Sequence, residues 1–283
     1  MSHFIHTSSK SIRDIALSSD GEYMACASQE SKIKLFDLNS KGTIKTFSTP
    51  QGIPSWACAI SASKNDFYMG VQNGKTFIYD VRGGDSPASE HATTGDLSPV
   101  INLAIIPKIP TDFPFGGFIV CKLTSVYIFE FTSTAGETKE TKLVLDGPFV
   151  FMTYNQTSNR LLISSRNNAT NKTAKYYFGK IMKVDGVPIF DYDVSFNGSS
   201  VTPVMTRCAL IPTADNTLIA GYQHDAKVLN IYDTERKAKL QCLPVTEVIL
   251  DTCAISYKDA IFMGALSEQK CRIYRINSSQ YKF

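Results

Sequence analysis

Apolar and polar residues alternate in short runs along most of this chain, and clusters of Ser, Asp, Asn and Gly separate the runs. Ile12 to Leu17 reads as a strand, closed by the turn cluster Ser18-Ser19-Asp20-Gly21. Tyr23 to Ser28 is a second strand, and Gln29-Glu30-Ser31 turns the chain again. Lys32-Ile33-Lys34-Leu35-Phe36-Asp37 alternates with the period of two that a half-buried strand requires. Thr43 to Phe47 completes a predicted four-stranded antiparallel meander. No amphipathic helix longer than two turns is predicted anywhere.

The same order recurs. Trp56-Ala57-Cys58 and Phe67-Tyr68-Met69-Gly70 fall on the next two strands, and an Asn73-Gly74 hairpin signal leads into Phe77-Ile78-Tyr79-Asp80. Further copies begin near Val100, Phe149, Met205 and Val245, and the last two end in Ile231-Tyr232-Asp233 and Ile273-Tyr274-Arg275. Starts at 12, 54, 100, 149, 205 and 245 differ by 42, 46, 49, 56 and 40 residues. Propeller repeats of the WD type run about 40–45 residues, with four strands per blade.

The expected fold class is therefore all-β: one WD-repeat β-propeller over residues 1–283. Its six readable four-stranded blades are placed at 12–53, 54–99, 100–148, 149–204, 205–244 and 245–277. A lone meander cannot bury both faces, so the blades should pack face to face around a channel. The sixth blade runs out after its third strand, and residues 4–7 (Phe4-Ile5-His6-Thr7) are the expected ring-closing outer strand. That count gives six blades.

Composition narrows the function. With 43% apolar residues in 283, the chain can bury a substantial core. It has no apolar run of about 18 residues, so no membrane span is predicted. Its first residues lack the basic and apolar regions of a secretory signal, so it is not expected to be secreted. The net charge of +3, from 29 basic and 26 acidic residues, is too weak to suggest a nucleic-acid surface. Direct sequence-specific nucleic-acid binding is therefore not expected. Seven cysteines with no Cys-x-x-Cys pair, mostly inside apolar runs, read as reduced core thiols of a cytosolic or nuclear protein. The Asn-x-Ser/Thr triplets at Asn155, Asn168, Asn171, Asn197 and Asn277 read as ordinary polar loops.

Several residue combinations resemble one family of propellers. They are Ser11 to Leu17 with Ala27-Ser28 and Ile33-Lys34-Leu35, then Gly52-Ile53-Pro54-Ser55-Trp56-Ala57-Cys58, then Tyr68-Met69-Gly70 through Asn73-Gly74 to Tyr79-Asp80-Val81-Arg82. Most specific is Pro107 followed by Pro114-Phe115-Gly116-Gly117-Phe118. Together they resemble the C-terminal propeller of the RING-finger and WD-repeat ubiquitin ligases of the replication-stress and crosslink-repair pathway. The match is good over residues 10–120 and weaker, though in register, beyond; the family's propeller carries a further repeat upstream, so the resemblance leaves both six complete blades and a seven-bladed ring lacking one open. The resemblance implies a protein-interaction module that recognises partners such as replication protein A, in a nuclear or nucleo-cytoplasmic protein. It also implies that a separate RING segment recruits the ubiquitin-charged enzyme; this chain has no Cys/His array at zinc-ligand spacing. The alternative reading is a structural WD-repeat scaffold of an unrelated multiprotein complex.

The chemistry legible in the sequence is otherwise sparse. Gly70-Val71-Gln72-Asn73-Gly74-Lys75-Thr76 is one residue short of a phosphate-binding loop, and Thr76 opens a strand, so it reads as a hairpin turn. The histidines at 3, 6, 91 and 224 do not accompany a nucleophile motif, and His91 lies in a Ser/Gly/Thr-rich stretch read as loop. No catalytic centre, metal site or cofactor is expected. Arg160, Arg166, Lys172, Lys175, Lys180 and Lys183 interleave with Tyr176, Tyr177 and Phe178, a pattern that suits either single-stranded nucleic acid or a solvated strand face. Asp20, Glu30, Asn73, Asp225 and Glu268 stand near tight turns, where such side chains accept backbone hydrogen bonds. The loops before first strands and between second and third strands should share one rim. Lys10, Arg13, Ser55, Trp56, Asn73, His224 and Asp225 are the partner-binding candidates on it.

Overall fold

Each repeat folds into one antiparallel sheet whose strands pair in chain order, because short polar turns leave a strand no nearer partner than the next one. In a computed structural model, described over residues 6–213, 216–258 and 260–276, the chain is an all-β propeller of six such blades. The first comprises β1 (Ile12–Leu17), β2 (Tyr23–Ser28), β3 (Lys32–Asp37) and β4 (Gly42–Ser48). A 3-10 turn at Pro50–Gly52 leads to β5 (Ser55–Ile60), β6 (Asp66–Val71), β7 (Thr76–Asp80) and β8 (Ser89–His91). Next come β9 (Val100–Ile106), β10 (Gly117–Lys122), β11 (Val126–Phe131) and β12 (Thr138–Lys142). The fourth blade holds β13 (Phe149–Asn155), β14 (Arg160–Ser165), β15 (Lys175–Val184) and β16 (Val187–Asn197). The fifth holds β17 (Ala209–Pro212), β18 (Thr217–Gln223), β19 (Val228–Asp233) and β20 (Ala238–Pro244).

The sixth sheet has three strands among the described residues, β21 (Ile249–Tyr257), β22 (Ala260–Ser267) and β23 (Cys271–Ile276). Of the expected closing strand, Phe4 and Ile5 lie outside the described residues, as does Asn277, while His6 and Thr7 carry no strand. The repeat starts read at 205 and 245 fall in crossing loops that precede β17 and β21.

The chain forms two compact units, residues 1–145 with 182–189, and residues 146–181 with 190–283. In the first, Phe47 stacks on Phe67 with ring centres 4.8 Å apart, and Tyr79 tilts against both while its hydroxyl donates to Ser48 O at 2.7 Å. Burial pushes that phenol up to about 12. A second cluster joins Tyr68, Val100, Phe118, Val120, Tyr127 and Phe129. Also in this unit, Lys183 pairs with Glu130 beneath the ring of Phe113. In the second unit, Tyr176, Phe178, Phe196, Ile219 and Tyr232 form one core, and Ile211, Leu229, Ile231, Ile249 and Met263 another.

Two details explain the repeated sequence words. Asp37, Asp80 and Asp233 end third strands, and each carboxylate accepts amide protons of the turn that follows: Asn39 and Ser40, Arg82, Glu235 and Arg236. The Gly116-Gly117 pair is equally constrained. Gly116 has φ +76°, and a side chain on Gly117 would collide with the carbonyl oxygen of Phe129 on the neighbouring strand.

Burial corrects two expectations. Cys26, Cys58, Cys121 and Cys208 are buried, but Cys242, Cys253 and Cys271 are exposed, so the thiols are not uniformly core residues. Glu30 accepts the expected backbone hydrogen bond, from Ser9 N of the preceding segment, and a further one from Ser8 Oγ. His91, read as a loop residue, ends β8 and is buried, its ring edge-on to Phe118 and Phe129 at 5.1 and 5.7 Å. Its ring nitrogens meet Ser89 and Thr138. Burial lowers its pKa, with Glu90 opposing.

The folded state therefore prefers neutral His91 more than the unfolded chain does. Its contribution to stability is fully present above the ordinary value of 6.5 and is lost as pH falls from there toward the lowered value. Thermal melts at about pH 7.5 and about pH 5.5 should show lower stability at the acid pH, and His91→Phe should shrink the difference. An unchanged difference in that variant would assign the pH effect elsewhere.

Candidate protein-interaction surface

The start of each first strand and the turn between second and third strands share one end of their blade. Backbone bonds from Gln29 N to Ser11 O, Gln72 N to Pro54 O, Leu123 N to Pro99 O and Arg166 N to Pro148 O hold them together at 2.8–3.2 Å. At this end, five of the first strands carry a β-bulge. The pairing register skips Arg13 in β1, Trp56 in β5, Ile101 in β9, Val150 in β13 and Leu250 in β21. A bulge re-aims one side chain away from the regular alternation. In the first unit, β1 lies against β5, and the guanidinium of Arg13 sits 4.6 Å from the centre of the Trp56 ring. Both side chains are only partly buried.

The remaining candidates behave differently from one another. Ser55 is fully buried, and its hydroxyl lies between the carbonyls of Ser28 and Glu30 at 2.9 and 3.2 Å, tying the second blade to the first. Beside it Asp14, also buried, accepts from Cys58 N at 3.0 Å. Lys10 is exposed, its amide on Ser8 Oγ. Asn73 stays in its turn, with Oδ1 3.4 Å from Lys75 N. Gly70 lies in β6, which Val71 closes, and Thr76 opens β7, so the glycine-rich stretch is a hairpin.

In the second unit His224 is half-buried, edge-on to Tyr222 with ring centres 4.7 Å apart. Its amide donates to Ser199 Oγ, and its Nε2 lies 3.1 Å from Thr206 Oγ1. Thr206 already donates to Ile249 O at 2.7 Å, so the imidazole is the donor, protonated at Nε2. Burial lowers the His224 pKa, with Asp225 opposing. Asp225 accepts from Ser200 N, Ser200 Oγ and Ala226 N at 2.9–3.0 Å, and these bonds hold its carboxyl below the usual range. His224 and Asp225 thus brace the crossing loop before β17 and are not bonded to each other.

This arrangement offers cationic, aromatic and polar contacts. No hydroxyl or thiol among the described residues is bonded to a histidine that is in turn bonded to a carboxylate. Nor does any group of three or more His, Cys, Asp or Glu suited to a metal occur there. Among the described residues, no helix is long and apolar enough to cross a membrane. The basic and aromatic stretch of β14 to β16 is largely engaged internally. Arg160 pairs with Asp193 and covers Phe178, Lys175 donates to Asn197 at 2.6 Å, and the aromatic rings of Tyr176 and Phe178 are buried.

Two features of this surface escaped the sequence reading. The crossing loops present exposed aliphatic side chains at Leu97, Val144, Val201 and Val248, single apolar residues in polar surroundings that no periodicity marks. Lys122, in an otherwise apolar strand, is fully buried and donates to Thr93 Oγ1 and, at 2.6 Å, to Asp96 O. The Asp96 carboxylate accepts from Ser98 N and Thr124 at 2.8 Å and from Ser125, and its pKa falls to about 2. This network fixes the loop that carries Leu97. Gly74, with φ +81°, allows it to seat, since a Cβ there would lie 2.8 Å from Ser98 O.

Comparison with known proteins agrees with the repeat architecture. The chain is 23% identical over 285 residues to the E3 ubiquitin-protein ligase RFWD3 of Homo sapiens, and 22% identical over 285 residues to that of Ailuropoda melanoleuca. Each alignment covers 97% of this chain and 37% of the relative, so the chain spans little more than a third of the proteins it matches. The model of the E3 ubiquitin-protein ligase RFWD3 WD40 domain matches residues 1–275, and with blades, bulges and turn caps repeating through that span, the chain belongs to this WD40 family.

Proposed function

We propose that this chain is the partner-recognition propeller of a RING-type ubiquitin ligase that acts in the DNA-damage response and binds replication protein A. The observation that carries this reading is the family match across residues 1–275. The bulged, partly exposed Arg13–Trp56 pair supports it, because rigid aromatic and arginine side chains are the usual anchors of protein interfaces. In this reading the propeller docks the partner, a separate RING segment carries out ubiquitin transfer, and the protein works in the nucleus or shuttles to it.

Titration of the purified chain against purified replication protein A subunits, by calorimetry at near-physiological salt, tests the reading. Saturable binding at about micromolar affinity or tighter is expected. No heat from a folded chain would sink replication protein A as the partner and favour a scaffold in another assembly. Arg13→Glu is expected to weaken the binding about tenfold by removing the cation over Trp56. Its melting temperature should stay within about 2 °C of the parent. Equal losses of stability and binding would make Arg13 a structural residue.

A further inference from the structure

In the second unit, Ser267 with the turn residues Glu268 and Gln269, together with the crossing loops before β17 and β21, borders a cleft of about 240 Å³. One wall is aliphatic: Val204, Val248 and Leu250, the last being the bulged residue of β21. The other carries Glu247, Ser267 and Glu268. Small-molecule sites measure roughly 300–1,000 Å³, so this cleft suits a single side chain.

Its charge is one-sided. The lining holds two carboxylates and no basic group. Glu247 is fixed in place: Oε2 accepts from Ser267 at 2.9 Å, and Oε1 accepts from Lys270 at 3.1 Å and Arg272 at 3.4 Å, cations that do not line the cleft. Glu268 is exposed at the turn and makes no ion pair among the described residues. A lysine or arginine side chain matches both walls, with its methylene stem on the valines and its cationic end at Glu268. An acidic side chain would meet like charge, and a wholly apolar one would leave the carboxylate wall facing it.

We propose that this cleft is a docking site for a lysine or arginine side chain in an extended segment of a protein partner. The proposal deepens the partner-recognition reading and rests on it, while leaving the partner's name open. Deca-lysine, and the same peptide with every ε-amine acetylated, are the probes. Methyl NMR of the folded chain is expected to show saturable shifts at Val204, Val248 and Leu250 with deca-lysine and none with the acetylated peptide.

Glu268→Lys should weaken deca-lysine binding about tenfold by placing like charge at the cleft. Glu235→Lys, in the turn after β19, should change it by less than about twofold. Amide spectra of both variants would confirm that they fold. Absence of methyl shifts, equal response to the acetylated peptide, or equal weakening by both charge reversals would overturn the assignment. Binding of replication protein A without any deca-lysine response would remove the cleft and leave the propeller reading intact.

Discussion

Phe118→Ala is expected to lower stability by about 3–5 kcal/mol, the usual cost of emptying a buried aromatic site. The Phe118 ring is fully buried and stacks on Phe129 with centres 4.9 Å apart and planes 4° from parallel. Tyr68, His91 and Phe131 surround it at 5.5, 5.1 and 5.8 Å. These rings come from β6, β8, β10 and β11, so one deletion loosens the second and third blades together. Domains have only about 5–15 kcal/mol of stability in total, so the loss should be plain in urea denaturation. A loss below about 1 kcal/mol would mean that the neighbours close over the gap, and that this cluster does not hold the blades.

The second large effect should come from Asp96→Ala, at about 3 kcal/mol, because it removes the carboxylate that accepts from Ser98 N, Thr124 and Ser125 and the charge that favours the buried ammonium of Lys122. Burial lowers the Lys122 pKa, with Asp96 and then Glu140 opposing. Lys122→Met removes the charge that Asp96 compensates, so the double variant should be more stable than the sum of the single losses predicts. Urea denaturation of the parent, both single variants and the double variant measures that coupling directly. Additive losses would show that the two residues act independently. The pH dependence has a fixed sign, since the folded pKa of Asp96 is depressed. Its contribution is full above the ordinary value of 3.8 and is lost as pH falls through about 2.

The blades were legible because their signals are local. Alternation in Lys32 to Asp37, the Asn73-Gly74 turn, and Asp at the ends of third strands each depend on residues adjacent in the chain. The candidate surface was legible only in part. Arg13 and Trp56 stand near the starts of first strands, where sequence points to a rim, yet their stacking depends on two blades meeting. Ser55 shares that sequence context and is wholly buried, since a hydroxyl that ties neighbouring blades looks the same in sequence as one facing solvent. His91 was missed because β8 has three residues, too short for alternation to show, and its burial is supplied by Phe118 and Phe129 of the following blade. Lys122 looks anomalous in an apolar strand until Thr93 and Asp96 are brought to it from some 26–29 positions earlier in the chain.

The bulge near the start of first strands has an evolutionary consequence. Regular positions beside it, such as Asp14, Ala57, Asn102 and Phe149, are buried, so a change of size there disturbs packing. Among the skipped residues, Ile101 and Val150 turn inward and are buried, whereas Arg13, Trp56 and Leu250 remain partly exposed. Substitution at Arg13, Trp56 and Leu250 can therefore drift more widely while the scaffold persists. A propeller built this way acquires new specificities by exchanging single residues at the same structural address in successive repeats, much as a lock is rekeyed by changing pins inside an unaltered barrel.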